Sequence, residues 1–163
     1  FLLIPTKRLL PMLMLTLQVL WQTGKADGDK WENAVRHADA KHVHPMVFVS
    51  DMAKAYRAAD IVVSRSGAGA VNEVCLLGKA AIFVPLPTAA EDHQSANARS
   101  LSSRDAAILI PDHVAPTKLV KEAIALVKDN TRIARFEHNA KAMGKFNAAD
   151  TIADIVIKIA EKK

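Results

Sequence analysis

Residues 64 to 79 read Ser-Arg-Ser-Gly-Ala-Gly-Ala-Val-Asn-Glu-Val-Cys-Leu-Leu-Gly-Lys. Small residues, Ser66, Gly67, Ala68, Gly69 and Ala70, open onto a helical pattern, and the carboxylate of Glu73 follows about one turn in. The first N–H groups of a helix have no intrahelical partner and sit at the positive end of its dipole, a setting suited to an anion such as a diphosphate. Gly67 and Gly69 let backbone approach a ligand with no Cβ in the way. A carboxylate at Glu73 can accept from the two hydroxyls of a vicinal diol, the usual means of reading a ribose. Glycines at a strand–helix turn also serve plain close packing, and spacing alone leaves both readings open. The dinucleotide fingerprint G-x-G-x-x-G and the P-loop G-x-x-x-x-G-K-[ST] are both absent.

A second polar cluster follows the next apolar run. Asp92, His93, Gln94 and Asn97 present donors and acceptors that suit a sugar, while an ordinary helix start with a capping box at Thr88 and Glu91 explains the same letters. Other candidates reduce to structure. Asp27-Gly28-Asp29 matches a metal-binding D-x-D but is equally a turn and cap sequence. His42-x-His44 lacks a third ligand nearby, Cys75 lies among apolar neighbours with no adjacent base, and Ser66 has no G-x-S-x-G elbow.

Elements that would position these residues follow from hydrophobic pattern. Apolar runs of strand length recur at 1–4, 18–21, 46–49, 61–63, 81–84 and 107–110. Most are continuous rather than alternating, as in strands covered on both faces. Helices are expected at 31–40 behind Asp29, 52–59 behind Ser50-Asp51, 70–77 ending at Gly78, and 91–101, then at 118–128, 132–145 and 151–163. Alternating strands and helices imply βαβ units and an α/β fold: a Rossmann-like, doubly wound parallel sheet. In such sheets ligands bind beyond the carboxyl ends of the strands. The segments 49–52, 64–69 and 85–94 then converge on one crevice.

With 163 residues the chain can bury one core, so a single domain over 1–163 is expected. A formal charge of +5 permits a nucleotide, a nucleic acid or an anionic membrane surface as partner, without choosing among them. One cysteine cannot form an internal disulfide, which fits a reducing compartment. The apolar N-terminus is interrupted by Lys7-Arg8, Pro11 and Gln18 and is too short to span a bilayer. The fold of residues 1–17 is left open, and a chain that begins with Phe1 is expected to be a piece of something longer.

Taken together, Arg65-Ser66-Gly67-Ala68, Glu73 at its spacing, Gly78-Lys79, Val84-Pro85 and Glu91-Asp92-His93-Gln94-x-x-Asn97-Ala98 resemble the MurG family. Trp21-Gln22-Thr23-Gly24 and Phe48-Val49-Ser50-Asp51-Met52-x-x-Ala55-Tyr56-x-x-Ala59-Asp60 are similar to it as well, so the likeness covers roughly 18–160. These are bacterial N-acetylglucosaminyltransferases that convert lipid I to lipid II in peptidoglycan synthesis. The resemblance implies the C-terminal, donor-binding half of a GT-B glycosyltransferase, with an inverting transfer and no metal or other cofactor. It implies that Val49 meets uracil through its backbone, with Met52 lining that pocket. It implies that Ser66 and Gly67 also belong to the donor-binding residues, and that Ala68, Gly69, Ala70, Val71 and Asn72 hold the diphosphate of UDP-N-acetylglucosamine by backbone N–H groups. Glu73 binds ribose, and Gln94, with His93 and Asn97, binds the N-acetylglucosamine hydroxyls.

The catalytic base and the site for an undecaprenyl-linked acceptor are expected in an N-terminal acceptor domain absent from this chain, so no catalytic residue is expected here. The family's glycine-rich G-G-S-x-G loop is replaced by Ile4-Pro5-Thr6-Lys7-Arg8. The resemblance further implies a peripheral protein on the cytoplasmic face of the inner membrane. Lys118, Lys121, Lys128, Arg132, Arg135, Lys141 and Lys145 offer an anionic surface a basic face or are simply solvated. No nucleic-acid motif accompanies them. Two other readings stay open: a separate donor-binding subunit of a two-subunit N-acetylglucosaminyltransferase, and a non-catalytic basic binding module.

Overall fold

The computed structural model describes residues 2–4 and 17–161. The strands are β1 (Leu2–Ile4), β2 (Val19–Gln22), β3 (Val43–Met46), β4 (Ile61–Ser64), β5 (Ala80–Phe83) and β6 (Ala107–Leu109). The helices are α1 (Gly28–His37), α2 (Met52–Ala58), α3 (Ala68–Leu77), α4 (His93–Ser102), α5 (Ala115–Lys128), α6 (Asn130–Ala142) and α7 (Ala148–Ala160). Among the described residues the strands form one six-stranded sheet in the order β3-β2-β1-β4-β5-β6. This is the doubly wound order, with its reversal at β1.

Strands β4 and β5 are buried at every position, which explains their unbroken apolar sequence. Alternate residues point to opposite faces. Val62, Ala81 and Phe83 pack with Ala55 and Tyr56 of α2, Val74 and Cys75 of α3, and Ala98 and Leu101 of α4. Ile61, Val63, Ala80 and Ile82 pack with Ala123, Leu126 and Val127 of α5 and with Ile133 and Phe136 of α6. Helices therefore cover both faces, as expected.

The sheet departs from the expected parallel arrangement at one strand. β1 runs antiparallel to both neighbours, with Leu2 opposite Val63 and Ile4 opposite Ile61, whereas β2–β3, β4–β5 and β5–β6 are parallel. Three apolar residues pair equally well in either direction, and an antiparallel neighbour needs no crossover to reach β2. The carboxyl end of β1 lies beside the start of β4, at the opposite end of the sheet from the turn at Ser64–Gly67. The loop expectation at Pro5–Arg8 falls outside the described residues.

Other boundaries shift for local reasons. β3 occupies Val43–Met46 rather than 46–49. Its pairing partner lies on one side only, so Pro45 is tolerated there as on other edge strands. Phe48, inside the anticipated strand, is instead 68% exposed in the loop that follows. α1 begins at Gly28, and its N-cap is Asp27 rather than Asp29, with no side-chain cap bond. The capping box at Thr88 does not form. Glu91 and Asp92 adopt left-handed φ values of 52° and 54°, and α4 starts only at His93. Two anticipated caps do form: Asp51 accepts from the Lys54 N–H at 2.9 Å, and Gly78 ends α3 with φ 58°.

Phe83 is fully buried at the centre of the face shared by α2, α3 and α4. Phe83→Ala is expected to lower the unfolding free energy by about 3–5 kcal/mol, read from urea denaturation.

Candidate functional site

The turn from β4 into α3 is built around Ser66, which is completely buried. Its hydroxyl donates to the Gln94 carbonyl at 2.8 Å, and its own carbonyl accepts from Asn97 Nδ2 at 3.0 Å. Gln94 Oε1 in turn accepts from the Leu86 N–H at 3.0 Å. A buried hydroxyl must find a partner, and here both partners lie on α4. The two polar clusters read from the sequence are thereby locked side by side. Arg65 adds a second tie, donating to the carbonyls of Val84 at 3.2 Å and Pro85 at 3.1 Å and pairing with Asp112.

Gly67 caps α3 in extended conformation, with φ −62° and ψ 154°, and its carbonyl accepts the Val71 N–H. The Ala68, Gly69 and Ala70 N–H groups thus point out of the helix start. The packing explanation for the glycines can be tested directly. A Cβ placed on Gly67 or on Gly69 meets nothing within 4 Å. These glycines do not serve close helix–strand contact; they face open space. Gly28 and Gly78 differ: a Cβ would lie 2.6 Å from Val47 Cγ2 at the first and 3.1 Å from Lys141 Cβ at the second.

Different sides of α3 face different neighbours. Glu73 lies toward α2, where Tyr56, only 2% exposed, donates its hydroxyl to Glu73 Oε2 at 2.7 Å. Burial, and then the Glu73 carboxylate, push the Tyr56 phenol far above its ordinary pKa, so it remains a donor. Ala68, Val71, Asn72 and Cys75 line a cleft of about 830 Å³ together with Asn97 of α4, Asn139 of α6, and Arg104 and Lys145 just beyond those two helices. Burial raises the Cys75 thiol, keeping it protonated and unreactive.

Val49 lies just past β3, buried, with its N–H held by Gln22 Oε1 at 3.0 Å. Met52, half-buried, opens α2. His93 opens α4 with its side chain exposed. Of the anticipated residues, the structure brings Ser66, Gln94 and Asn97 into one hydrogen-bonded group, and Asn72 and Asn97 into one cleft. Glu73 and Val49 stand in separate local networks. Sequence reasoning gave no role to Tyr56, Gln22 or Arg65. A tyrosine inside a helix that packs through small residues signals a buried ring, whose hydroxyl then needs a partner. His42 and His44 both hydrogen-bond to the Gln18 amide, at 3.2 and 2.8 Å, which accounts for their spacing. Among the described residues no group of His, Cys, Asp or Glu is arranged to hold a metal ion, and no helix is long and apolar enough to cross a membrane.

The family model of the glycosyltransferase family 28 C-terminal domain matches residues 6–154. The chain belongs to that family. Within it, the chain is 40% identical over 150 residues to a protein of Parabacteroides distasonis named UDP-N-acetylglucosamine–N-acetylmuramyl-(pentapeptide) pyrophosphoryl-undecaprenol N-acetylglucosamine transferase, covering 90% of this chain and 40% of that protein. A Porphyromonas gingivalis protein of the same name is 41% identical over 145 residues, covering 89% of this chain and 38% of its own length. The crystal structure of Acinetobacter baumannii MurG superposes with a TM-score of 0.77 at 30% identity, over 85% of this chain and 42% of that one. The resemblance to the MurG family is thus borne out. This glycosyltransferase family 28 chain spans about 40% of the length of the curated relatives it matches.

Gly69→Ala is expected to leave stability unchanged or raise it by about 0.5–1 kcal/mol, since the methyl meets no neighbour and a helix gains from losing glycine. Gly78→Ala should cost about 1–2 kcal/mol, because its φ of 58° penalises any Cβ. Parallel thermal and urea unfolding of the two variants checks the contrast.

Proposed function

We propose that this chain is the donor-binding part of an inverting glycosyltransferase. It takes UDP-N-acetylglucosamine and serves transfer of N-acetylglucosamine to an undecaprenyl-linked N-acetylmuramyl-pentapeptide, the step from lipid I to lipid II. The observation that carries the reading is the open turn at Gly67 and Gly69, where the start of α3 faces empty space with Glu73 one turn behind. The names of the relatives supply the donor and acceptor.

In this reading the N–H groups of Ala68, Gly69 and Ala70 receive the diphosphate, with Ser66, Gly67, Val71 and Asn72 shaping and flanking the seat. Glu73 accepts from the ribose hydroxyls. The uracil lies over Val49 and Met52. Because the Val49 N–H is engaged by Gln22, its carbonyl is the backbone group that meets the base edge. Gln94 offers its side-chain nitrogen to the sugar, its oxygen being taken by Leu86, and His93 and Asn97 flank it.

Reaction follows from that placement. An acceptor hydroxyl attacks the anomeric carbon from the face opposite UDP, the bond to the diphosphate oxygen breaks, and the configuration inverts. Negative charge grows on the leaving diphosphate, where the dipoles at the start of α3 are already oriented and need no reorganisation. A general base must take the hydroxyl proton; that base and the acceptor site belong to an N-terminal acceptor domain. The working enzyme sits peripherally at the cytoplasmic face of the inner membrane, where the basic residues of α5 and α6 face anionic lipid.

Calorimetric titration tests the donor assignment. UDP-N-acetylglucosamine and UDP are expected to bind and GDP not, and Glu73→Ala should weaken UDP binding by about 1–3 kcal/mol. Equal affinity for GDP would contradict the uracil assignment.

A further inference from the structure

The hydrogen bond from Tyr56 to Glu73 joins a core residue to a surface one. Tyr56 is on α2, whose start is fixed by the Asp51 cap. Its ring lies in the apolar cluster with Val74, Cys75 and Phe83, so the phenol has little freedom. Glu73, by contrast, is exposed on α3, and a free glutamate side chain samples many rotamers whose entropy is lost when it is immobilised. The 2.7 Å bond to Oε2 removes that freedom in advance. A carboxylate has about four acceptor sites on its two oxygens. One taken by Tyr56 leaves Oε1 entire, and part of Oε2, for two neighbouring hydroxyls.

We infer that Tyr56 is a positioning residue: its hydroxyl holds the Glu73 carboxylate in the orientation that reads a ribose diol, and so sets the preference for ribonucleotides. This rests on the donor-site reading and adds to it the residue that pre-orders the diol contact. Preorganisation of this kind raises affinity by removing an ordering cost at the moment of binding. It acts only on ligands that carry the diol. A tyrosine that merely completed the core would affect all ligands alike, through stability.

The test pairs a variant with a ligand. UDP and 2′,3′-dideoxy-UDP, which lacks both hydroxyls, are titrated into the full chain and into Tyr56→Phe, with thermal unfolding measured on both. Tyr56→Phe is expected to weaken UDP roughly three- to tenfold, the effect of one hydrogen bond, while dideoxy-UDP binds as it does to the parent. In a Glu73→Ala background the same substitution should change nothing. A parent that prefers UDP, with a variant that keeps the full preference or loses both ligands equally, overturns the positioning role alone. A parent that binds neither nucleotide, or binds both equally, overturns the donor-site reading and the inference with it. A structure of the parent with UDP gives an independent check that needs no variant. The Tyr56–Glu73 bond is expected to persist with the diol on the remaining carboxylate sites, and Glu73 turned away from Tyr56 would contradict the role.

Discussion

Ser66 has its hydroxyl and its carbonyl both tied to α4, through Gln94 and Asn97, with the whole residue out of contact with water. The remaining features of the site depend on that pair of bonds. They fix where β4 ends and α3 starts, and they fix α4 against that start. Breaking one would leave a buried polar group without a partner, at a cost of about 1–3 kcal/mol. The turn can therefore stay open on its outer side without becoming loose. A side chain on Gly67 or Gly69 would meet no neighbour; the turn is held in place from behind.

The two flanks of α3 divide the work. Toward α2, a core tyrosine orders an exposed carboxylate. Toward α4 and α6, Asn72 and Asn97 enter a wide cleft edged by Arg104 and Lys145. In the proposed reading a nucleoside diphosphate sugar uses both kinds of surface, the diol reader on one side of the phosphates and the room with polar groups on the other. The Arg65 ties to Val84, Pro85 and Asp112 brace the loop that follows β5, so the crevice walls are set before any ligand arrives.

Much of this was legible in the letters. Unbroken apolar runs at 61–63 and 81–84 marked strands covered on both faces, Asp51 marked a cap, and Gly78 marked a helix end. Pattern failed where local composition is neutral between outcomes. Three apolar residues at Leu2–Ile4 carry no sign of strand direction. Met46, Val47 and Phe48 look like a strand, yet the strand is the preceding, alternately exposed Val43–Met46 at the sheet edge. Thr88 and Glu91 have capping-box spacing, but the chain turns through left-handed Glu91 and Asp92 first. The small-residue turn after β4 and the polar start of α4 were legible as two separate clusters. Their partners were not, because Tyr56 and Glu73, or Ser66 and Gln94, meet only once the sheet has brought their helices together.

The open start of α3 is the proposed seat of the diphosphate. Amide spectra of the ¹⁵N-labelled chain, followed as UDP is added, test it most directly. Saturable shifts are expected, concentrated at Gly67, Ala68, Gly69 and Ala70, with Glu73 following. Saturable shifts elsewhere, with those amides unmoved, would contradict it.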